Sequence, residues 1–284
     1  MPIQYPEILS LSSDDFTARY TDRETMLYAL GVGMGADPMN EKELPFVYEN
    51  GLKALPTMTT VIAWGAGAMT GRMGINYLMV VHGEQKLEMH KPLPSEGSIK
   101  AAVRVLGAYD KGKDKGAIIY SETVISDAVS GDKLATLVSS TFARGDGGFG
   151  GPSEGAPEPH PTPNRPHDSE LAIATRPDQA LIYRLSGDRN PLHSDPNVAR
   201  MAGFPRPILH GLCSYGVTCR AVLQTYADYD PSRIKNFDVR FSSPVFPGET
   251  IVTRMWKDGN VVSFEASVAE RNVTVIKNGR CVLA

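Results

Sequence analysis

A run of glycine and proline divides this chain nearly in half, and that division limits the folds open to it. Residues 144–168 read Arg-Gly-Asp-Gly-Gly-Phe-Gly-Gly-Pro-Ser-Glu-Gly-Ala-Pro-Glu-Pro-His-Pro-Thr-Pro-Asn-Arg-Pro-His-Asp. Neither glycine nor proline supports a helix interior or a central strand. The segment reads as a linker, and its proline-rich part as extended rather than floppy. The parts on either side rhyme. Lys91-Pro92-Leu93-Pro94-Ser95-Glu96-Gly97-Ser98-Ile99 in the first matches Ser243-Pro244-Val245-Phe246-Pro247-Gly248-Glu249-Thr250-Ile251 in the second. Each opens a strand-rich stretch with tight turn signals. These are Asp110-Lys111-Gly112 and Ser130-Gly131-Asp132, then Lys257-Asp258-Gly259 and Asn278-Gly279. Each half also carries a helical segment upstream of its strands. A helix followed by antiparallel strands, twice over, predicts two copies of one α+β unit.

Two segments supply the elements. Leu209, Leu212, Gly216, Cys219 and Leu223 recur at helical spacing, and Tyr215, Val217 and Val222 thicken that face, so this helix is expected to be wrapped by sheet. Phe237, Val239 and Phe241 alternate with Asp238 and Arg240, the period of a half-buried strand. In the first half, Thr21 or Asp22 caps a predicted helix through Met26, Leu27 and Leu30 that ends at the glycines 31, 33 and 35. Those glycines follow a helix rather than a strand, so they are not read as a dinucleotide loop.

Bulk properties narrow the function. The 284 residues carry a net charge of −3, which offers no basic footprint for nucleic acid. No apolar run approaches the ~18 residues of a membrane span. The first residues lack a signal-peptide pattern, and Val282-Leu283-Ala284 is not a peroxisomal address. Cys213, Cys219 and Cys281 form neither a disulfide framework nor a zinc pattern. A cytoplasmic, reducing location is the expectation.

The chemistry concentrates in Tyr183-Arg184-Leu185-Ser186-Gly187-Asp188-Arg189-Asn190-Pro191-Leu192-His193, followed by Pro207-Ile208-Leu209-His210-Gly211. Pro191 disfavours a continuous helix, so a turn brings Asp188 and His193 together. A carboxylate and an imidazole so placed hold and deprotonate one water. Asn190 offers an amide to orient the carboxylate or that water. Gly211 stands at the mouth of the apolar helix, where a backbone N–H meets developing negative charge. Taken alone, Asp-x-Asn-Pro also reads as an Asx-turn, with Ser194 or Asp195 capping the next helix. His210 reads as packing at the helix start, and His90, His160 and His167 show no metal-ligand spacing.

The run from Tyr183 to His193, with Ala202-Gly203-Phe204 and Pro207 to Cys213, resembles the signature of hydratase 2, the (R)-specific 2-enoyl-CoA hydratases of the MaoC-like group. Met26 to Gly33, Phe46-Val47-Tyr48-Glu49, Leu55-Pro56-Thr57, His82-Gly83-Glu84-Gln85 and Gly147 to Gly151 resemble the long, two-repeat form. That form occurs as the hydratase part of peroxisomal multifunctional enzyme type 2 and in bacterial relatives. The resemblance implies an α+β double hot-dog fold, each half wrapping an antiparallel sheet around a long central helix. It divides the chain into an N-terminal repeat at 1–143, a linker at 144–168 and a catalytic repeat at 169–284. The first repeat has no Gly-Asp-x-Asn-Pro-x-His, which in this family marks the copy that shapes the acyl pocket.

The resemblance further implies catalytic roles for Asp188, His193 and Gly211, with Asn190 in the same motif and Glu49 at a position needed for activity. It implies ligand contacts at His82, Gly83, Lys111 and Phe241. The reaction would be reversible hydration of a trans-2-enoyl-CoA to a (3R)-3-hydroxyacyl-CoA. Substrates with medium, long or bulky acyl groups would place it in fatty-acid β-oxidation or related metabolism. No metal or redox cofactor is called for, and a homodimer is implied. Two other readings fit parts of the pattern. A hot-dog acyl-CoA thioesterase would hydrolyse the same thioester but lacks the Asp-x-Asn-Pro-x-His arrangement. A non-catalytic acyl-CoA or sterol binding protein would not need Asp188, Asn190, His193 and Gly211 intact.

Overall fold

The fold is that of a computed structural model describing residues 2–76 and 79–284, without the side chains of 15 and 67–70. The first half runs β1 (Ser12–Tyr20), α1 (Asp22–Gly31), α2 (Leu44–Val47), α3 (Thr59–Ile62), β2 (Val80–Met89), β3 (Gly97–Asp110), β4 (Ala117–Asp127) and β5 (Lys133–Ala143). The second runs β6 (Ser169–Ala174), α4 (Gln179–Tyr183), α5 (Pro196–Met201), α6 (Gly211–Tyr226), β7 (Ile234–Phe241), β8 (Thr250–Asp258), β9 (Val261–Val268) and β10 (Val273–Leu283). Among the described residues these strands form one ten-stranded antiparallel sheet in the order β1-β3-β4-β5-β2-β7-β10-β9-β8-β6. Counted inward from each edge, both halves follow the same order. They meet where β2 pairs with β7, with Gln85 opposite Val239 and Glu88 opposite Asn236. This is a double hot-dog.

The repeat begins one element earlier than the sequence reading placed it. A strand precedes the first helix in each half, and both such strands lie at the sheet's outer edges. Thr21 starts α1 through a capping box, its N–H and hydroxyl both donating to the Glu24 carboxylate. The rhyming segments at 91–99 and 243–251 lead into β3 and β8, equivalent strands of the two units.

Among the described residues, a long central helix is present only in the second unit. Every residue of α6 from Leu212 to Cys219 is buried, and so are Ala221, Val222 and Leu223. Phe237 and Phe264 of the surrounding sheet stack with centroids 4.9 Å apart, and the Tyr215 hydroxyl donates to the Phe237 carbonyl. At the corresponding place in the first unit stand a 3₁₀ turn at Pro56–Met58, the one-turn α3 and a 3₁₀ stretch from Trp64 to Arg72. The expectation of two long helices is corrected on this point.

Asn278-Gly279 is not a turn. Both residues lie inside β10, where the register shifts between Lys277 and Arg280. Asn278 takes φ of +54°, and a Cβ on Gly279 would fall 2.4 Å from the Phe264 ring. The pair makes a bulge that lets the strand continue past an aromatic ring.

The segment between the units is a strap held by hydrogen bonds. Asp110 accepts from the N–H groups of Gly148 and Gly150, and its own N–H donates to the Pro152 carbonyl. Further on, His160 meets Ser263, Thr162 donates to Glu265, and the Trp256 indole donates to the Arg165 carbonyl. The strap thus runs from the β3–β4 end of the sheet to β9 and β8. No helix among the described residues is long and apolar enough to cross a membrane.

Candidate active site

The candidate turn begins where α4 gives way to a short 3₁₀ turn and Gly187. Gly187 has φ of +146°, and a Cβ there would press on Trp64 of the first unit. Asp188 follows, and its Oδ1 accepts from the Asn190 N–H at 3.0 Å. The Asn190 side-chain oxygen accepts in turn from the Leu192 N–H, capping the 3₁₀ turn Pro191–His193. Asp195 then caps α5 through the Asn197 N–H. The Asx-turn therefore forms, and it leaves the Asp188 carboxylate on the side of His193. The backbone of Asn190 orients the carboxylate, whereas its side-chain oxygen serves the turn.

His193 is buried, with its Nδ1 2.9 Å from the Ile208 carbonyl oxygen. A carbonyl only accepts, so Nδ1 carries the proton and Nε2 is bare. The bare Nε2 faces Asp188 Oδ2 across 4.0 Å. That gap is too long for a direct hydrogen bond and suits a shared water. Burial lowers the His193 pKa from its ordinary value, opposed by the Ile208 bond and the Asp188 charge. The ring stays neutral and able to accept a proton.

His210 stacks on His193, with ring centroids 3.7 Å apart and planes 26° apart. Its Nε2 donates to the Asp188 backbone carbonyl at 3.1 Å. Burial, then the neighbouring His193, push its pKa down to about 3. Asp188, His193 and His210 each bring a donor atom within 4.8 Å of the others, a spacing open to a metal ion. Each histidine commits one ring nitrogen to a backbone carbonyl, which leaves His193 Nε2 and His210 Nδ1 as the bare nitrogens of the cluster.

Gly211 opens α6 directly after His210. As the first helical residue its N–H has no carbonyl four residues back within the helix, and it carries the positive end of the helix dipole. A Cβ at Gly211 would first meet the Phe241 ring, at an ordinary 3.5 Å. Packing alone does not demand glycine here. The Phe241 ring lies 4.9 Å from that of His82 on β2, so the seam strands β2 and β7 bring both halves to one place. His82 Nε2 bonds to the Glu84 carbonyl, and burial pushes the His82 pKa down to about 4. Gly83 sits at a bulge where a Cβ would fall 2.6 Å from the Ser140 hydroxyl.

Residues 159–279 match the MaoC like domain, and residues 18–145 match the MFE-2 hydratase 2 N-terminal domain. Enoyl-CoA hydratase ChsH3 of Mycobacterium tuberculosis is 38% identical over 284 residues, covering 98% of this chain and 98% of that protein. The chain belongs to the enoyl-CoA hydratase 2 family. Peroxisomal multifunctional enzyme type 2 of Mus musculus is 43% identical over 273 residues, 93% of this chain but only 36% of that longer protein. The crystal structure of a MaoC-like dehydratase from Phytophthora capsici superposes with a TM-score of 0.88 at 36% identity, covering 99% of this chain and 98% of that one.

In this hydratase 2 chain the structure gathers Asp188, His193, Gly211, Phe241, His82 and Gly83 around the seam. Two sequence-derived residues lie apart from them. Lys111, on the β3–β4 turn, donates to the Ser153 carbonyl of the strap. Glu49 is exposed just after α2, with no side-chain hydrogen bond or ion pair among the described residues. The buried glutamate nearby is Glu43, which accepts from the Gly35 N–H and binds Arg220 of α6 at 2.7 Å. Sequence reasoning missed that ion pair, the Trp64 contact and the His210 stack. Only the adjacency of His210 to Gly211 offered a signal for any of them.

Proposed function

We propose that this protein reversibly hydrates trans-2-enoyl-CoA thioesters to (3R)-3-hydroxyacyl-CoA, acting as a hydro-lyase. The observation that carries this reading is the pairing of a bare His193 Nε2 with the Asp188 carboxylate across 4.0 Å. One water between them is deprotonated and attacks C3 of the enoyl thioester. Charge moves to the thioester oxygen, where the Gly211 N–H meets it. The Asp188–His193 pair then returns one proton to C2, so that the H and OH of one water both end on the product. General acid–base help of this kind supplies roughly 10²–10⁴ in rate. One oxyanion donor is worth about 3 kcal/mol. The proposed steps use water and the chain's own groups, with CoA entering as part of the substrate.

The unit at 169–284 carries the chemistry in this reading. The unit at 1–143, with no long central helix, shapes a pocket for medium, long or bulky acyl groups. His82, Gly83 and Phe241 line the thioester end, and Lys111 reaches the CoA by exchanging the Ser153 carbonyl for a phosphate. Glu49, at the position the resemblance marks as needed for activity, serves the site from the first unit. The working form is a homodimer. A thioesterase reading is not favoured, because a water held for attack at C3 is not placed for the carbonyl carbon.

The test uses purified protein and enoyl-CoAs of increasing chain length. Loss of absorbance from the conjugated thioester follows turnover, and chiral chromatography identifies the product. Hydration to the (R) alcohol with activity extending to long or branched chains supports the reading. An (S) alcohol, or no turnover at any length, contradicts it.

A further inference from the structure

One ring touches all three parts of the water-holding and oxyanion machinery without entering the proposed chemistry. His210 stacks on His193 at 3.7 Å, donates to the Asp188 carbonyl at 3.1 Å and is peptide-bonded to Gly211. Behind it the Tyr183 ring lies at 5.0 Å, and behind that Tyr28 of α1 at 5.9 Å. Tyr28, Tyr183 and His210 are all buried. The rings form a column from the first unit to the catalytic histidine.

A phenyl ring would provide the stack equally well. Histidine brings two further polar atoms, and they act in opposite senses. Nδ1 is buried with no hydrogen-bond partner among the described residues, which costs stability. Nε2 is spent on the backbone of Asp188. The gain from having histidine here is therefore that single bond. It holds the residue whose carboxylate faces His193, while the stacked face holds His193 itself. One rigid ring fixes both sides of the 4.0 Å gap.

We propose that His210 is a positioning residue that sets the spacing between the Asp188 carboxylate and His193 Nε2, braced from the first unit through Tyr183 and Tyr28. This rests on the reading of Asp188 and His193 as the pair that holds water. A loosened gap lowers the rate of attack more than it lowers substrate binding, because the geometry matters most in the transition state.

The test compares His210→Phe, His210→Gln and Asp188→Asn with the unaltered protein on one enoyl-CoA, with thermal unfolding of each. His210→Phe keeps the column and removes the orphaned nitrogen, so its melting temperature is expected to hold or rise. Its kcat is expected to fall about tenfold or more, with KM within about threefold. His210→Gln restores a donor near Nε2 and is expected to recover part of that kcat. Near-normal kcat in His210→Phe, a KM that rises in step with the lost rate, or no advantage of Gln over Phe overturns the positioning role. Should His210→Phe fail to fold, the kcat-to-KM split in His210→Gln decides the same question: an unchanged kcat or a proportional KM rise overturns the proposal. An active His210→Phe beside an inactive Asp188→Asn sinks this proposal alone. An active Asp188→Asn sinks the reading beneath it.

Discussion

His193 Nδ1 lies 2.9 Å from the carbonyl oxygen of Ile208, and this contact fixes the tautomer in which Nε2 is bare and able to accept a proton. The ring must be neutral to work, and burial holds its pKa below the ordinary value. The acid limb of kcat/KM against pH is therefore expected below the usual histidine pKa of about 6.5. Measured profiles with a midpoint above that value would contradict the assignment of His193 as base.

Stability has its own pH dependence, from the same cause. Burial depresses the folded-state pKa of His82 to about 4 and of His210 to about 3, and lowers that of His193. The unfolded chain takes up protons on these rings near pH ~6.5, before the folded chain does. Between those values the unfolded state binds more protons, so stability rises with pH. The melting temperature is expected to fall as pH drops below about 6.5 and to go on falling toward pH ~3. His210→Phe is expected to flatten part of that slope.

Asp188→Asn retains an oxygen to accept the Asn190 N–H, so the turn survives while the negative charge is lost. The expected result is a kcat reduced by roughly 10²–10⁴ with an unchanged circular dichroism spectrum and melting curve. Turnover close to normal would remove Asp188 from the mechanism.

Gly211 permits two complementary substitutions. His210 has φ −57° and ψ +136°, the extended backbone a following proline requires, and proline is favoured at the first position of a helix. Gly211→Pro is thus expected to fold while deleting the N–H donor, reducing kcat by about 10²–10³. Gly211→Ala keeps the donor and adds a methyl that the protein itself tolerates. If alanine is as damaging as proline, the methyl is blocking the substrate's approach. If neither loses activity, Gly211 is no oxyanion donor.

The Glu43–Arg220 pair is almost wholly enclosed and spans the two units. Arg220→Met leaves the Glu43 charge buried without its partner and is expected to cost about 3–5 kcal/mol in urea unfolding. Adding Glu43→Gln should recover much of this loss. A double variant no more stable than Arg220→Met would show that the charge is not what destabilises the single one.

Local patterns carried much of this structure into the sequence. The strand at Ile234–Phe241 has one buried face, which its alternation reports directly, and the helix at Gly211–Tyr226 is buried nearly all round, which its apolar composition reports. Edge strands do not. In β1 the register shifts between Ser13 and Phe16, and the alternation is broken there. Asn278-Gly279 has the composition of a turn, but the packing of Phe264 beneath it decides for a bulge. The site was legible where its residues are close in sequence, from Asp188 to Gly211. Glu43 finds Arg220 and Trp64 finds Gly187 only through the fold. Glu49 stood beside an aromatic run that buries Phe46, and nothing local distinguished it from the buried Glu43.

The most direct test is hydration of a trans-2-enoyl-CoA in ¹⁸O-labelled water, followed by mass analysis of the thioester and chiral analysis of the alcohol. The predicted result is an intact CoA thioester with one ¹⁸O on the C3 hydroxyl of the (R) product, formed at least about a hundredfold more slowly by Asp188→Asn. Label in a released carboxylate with free thiol, or an (S) alcohol, would contradict it.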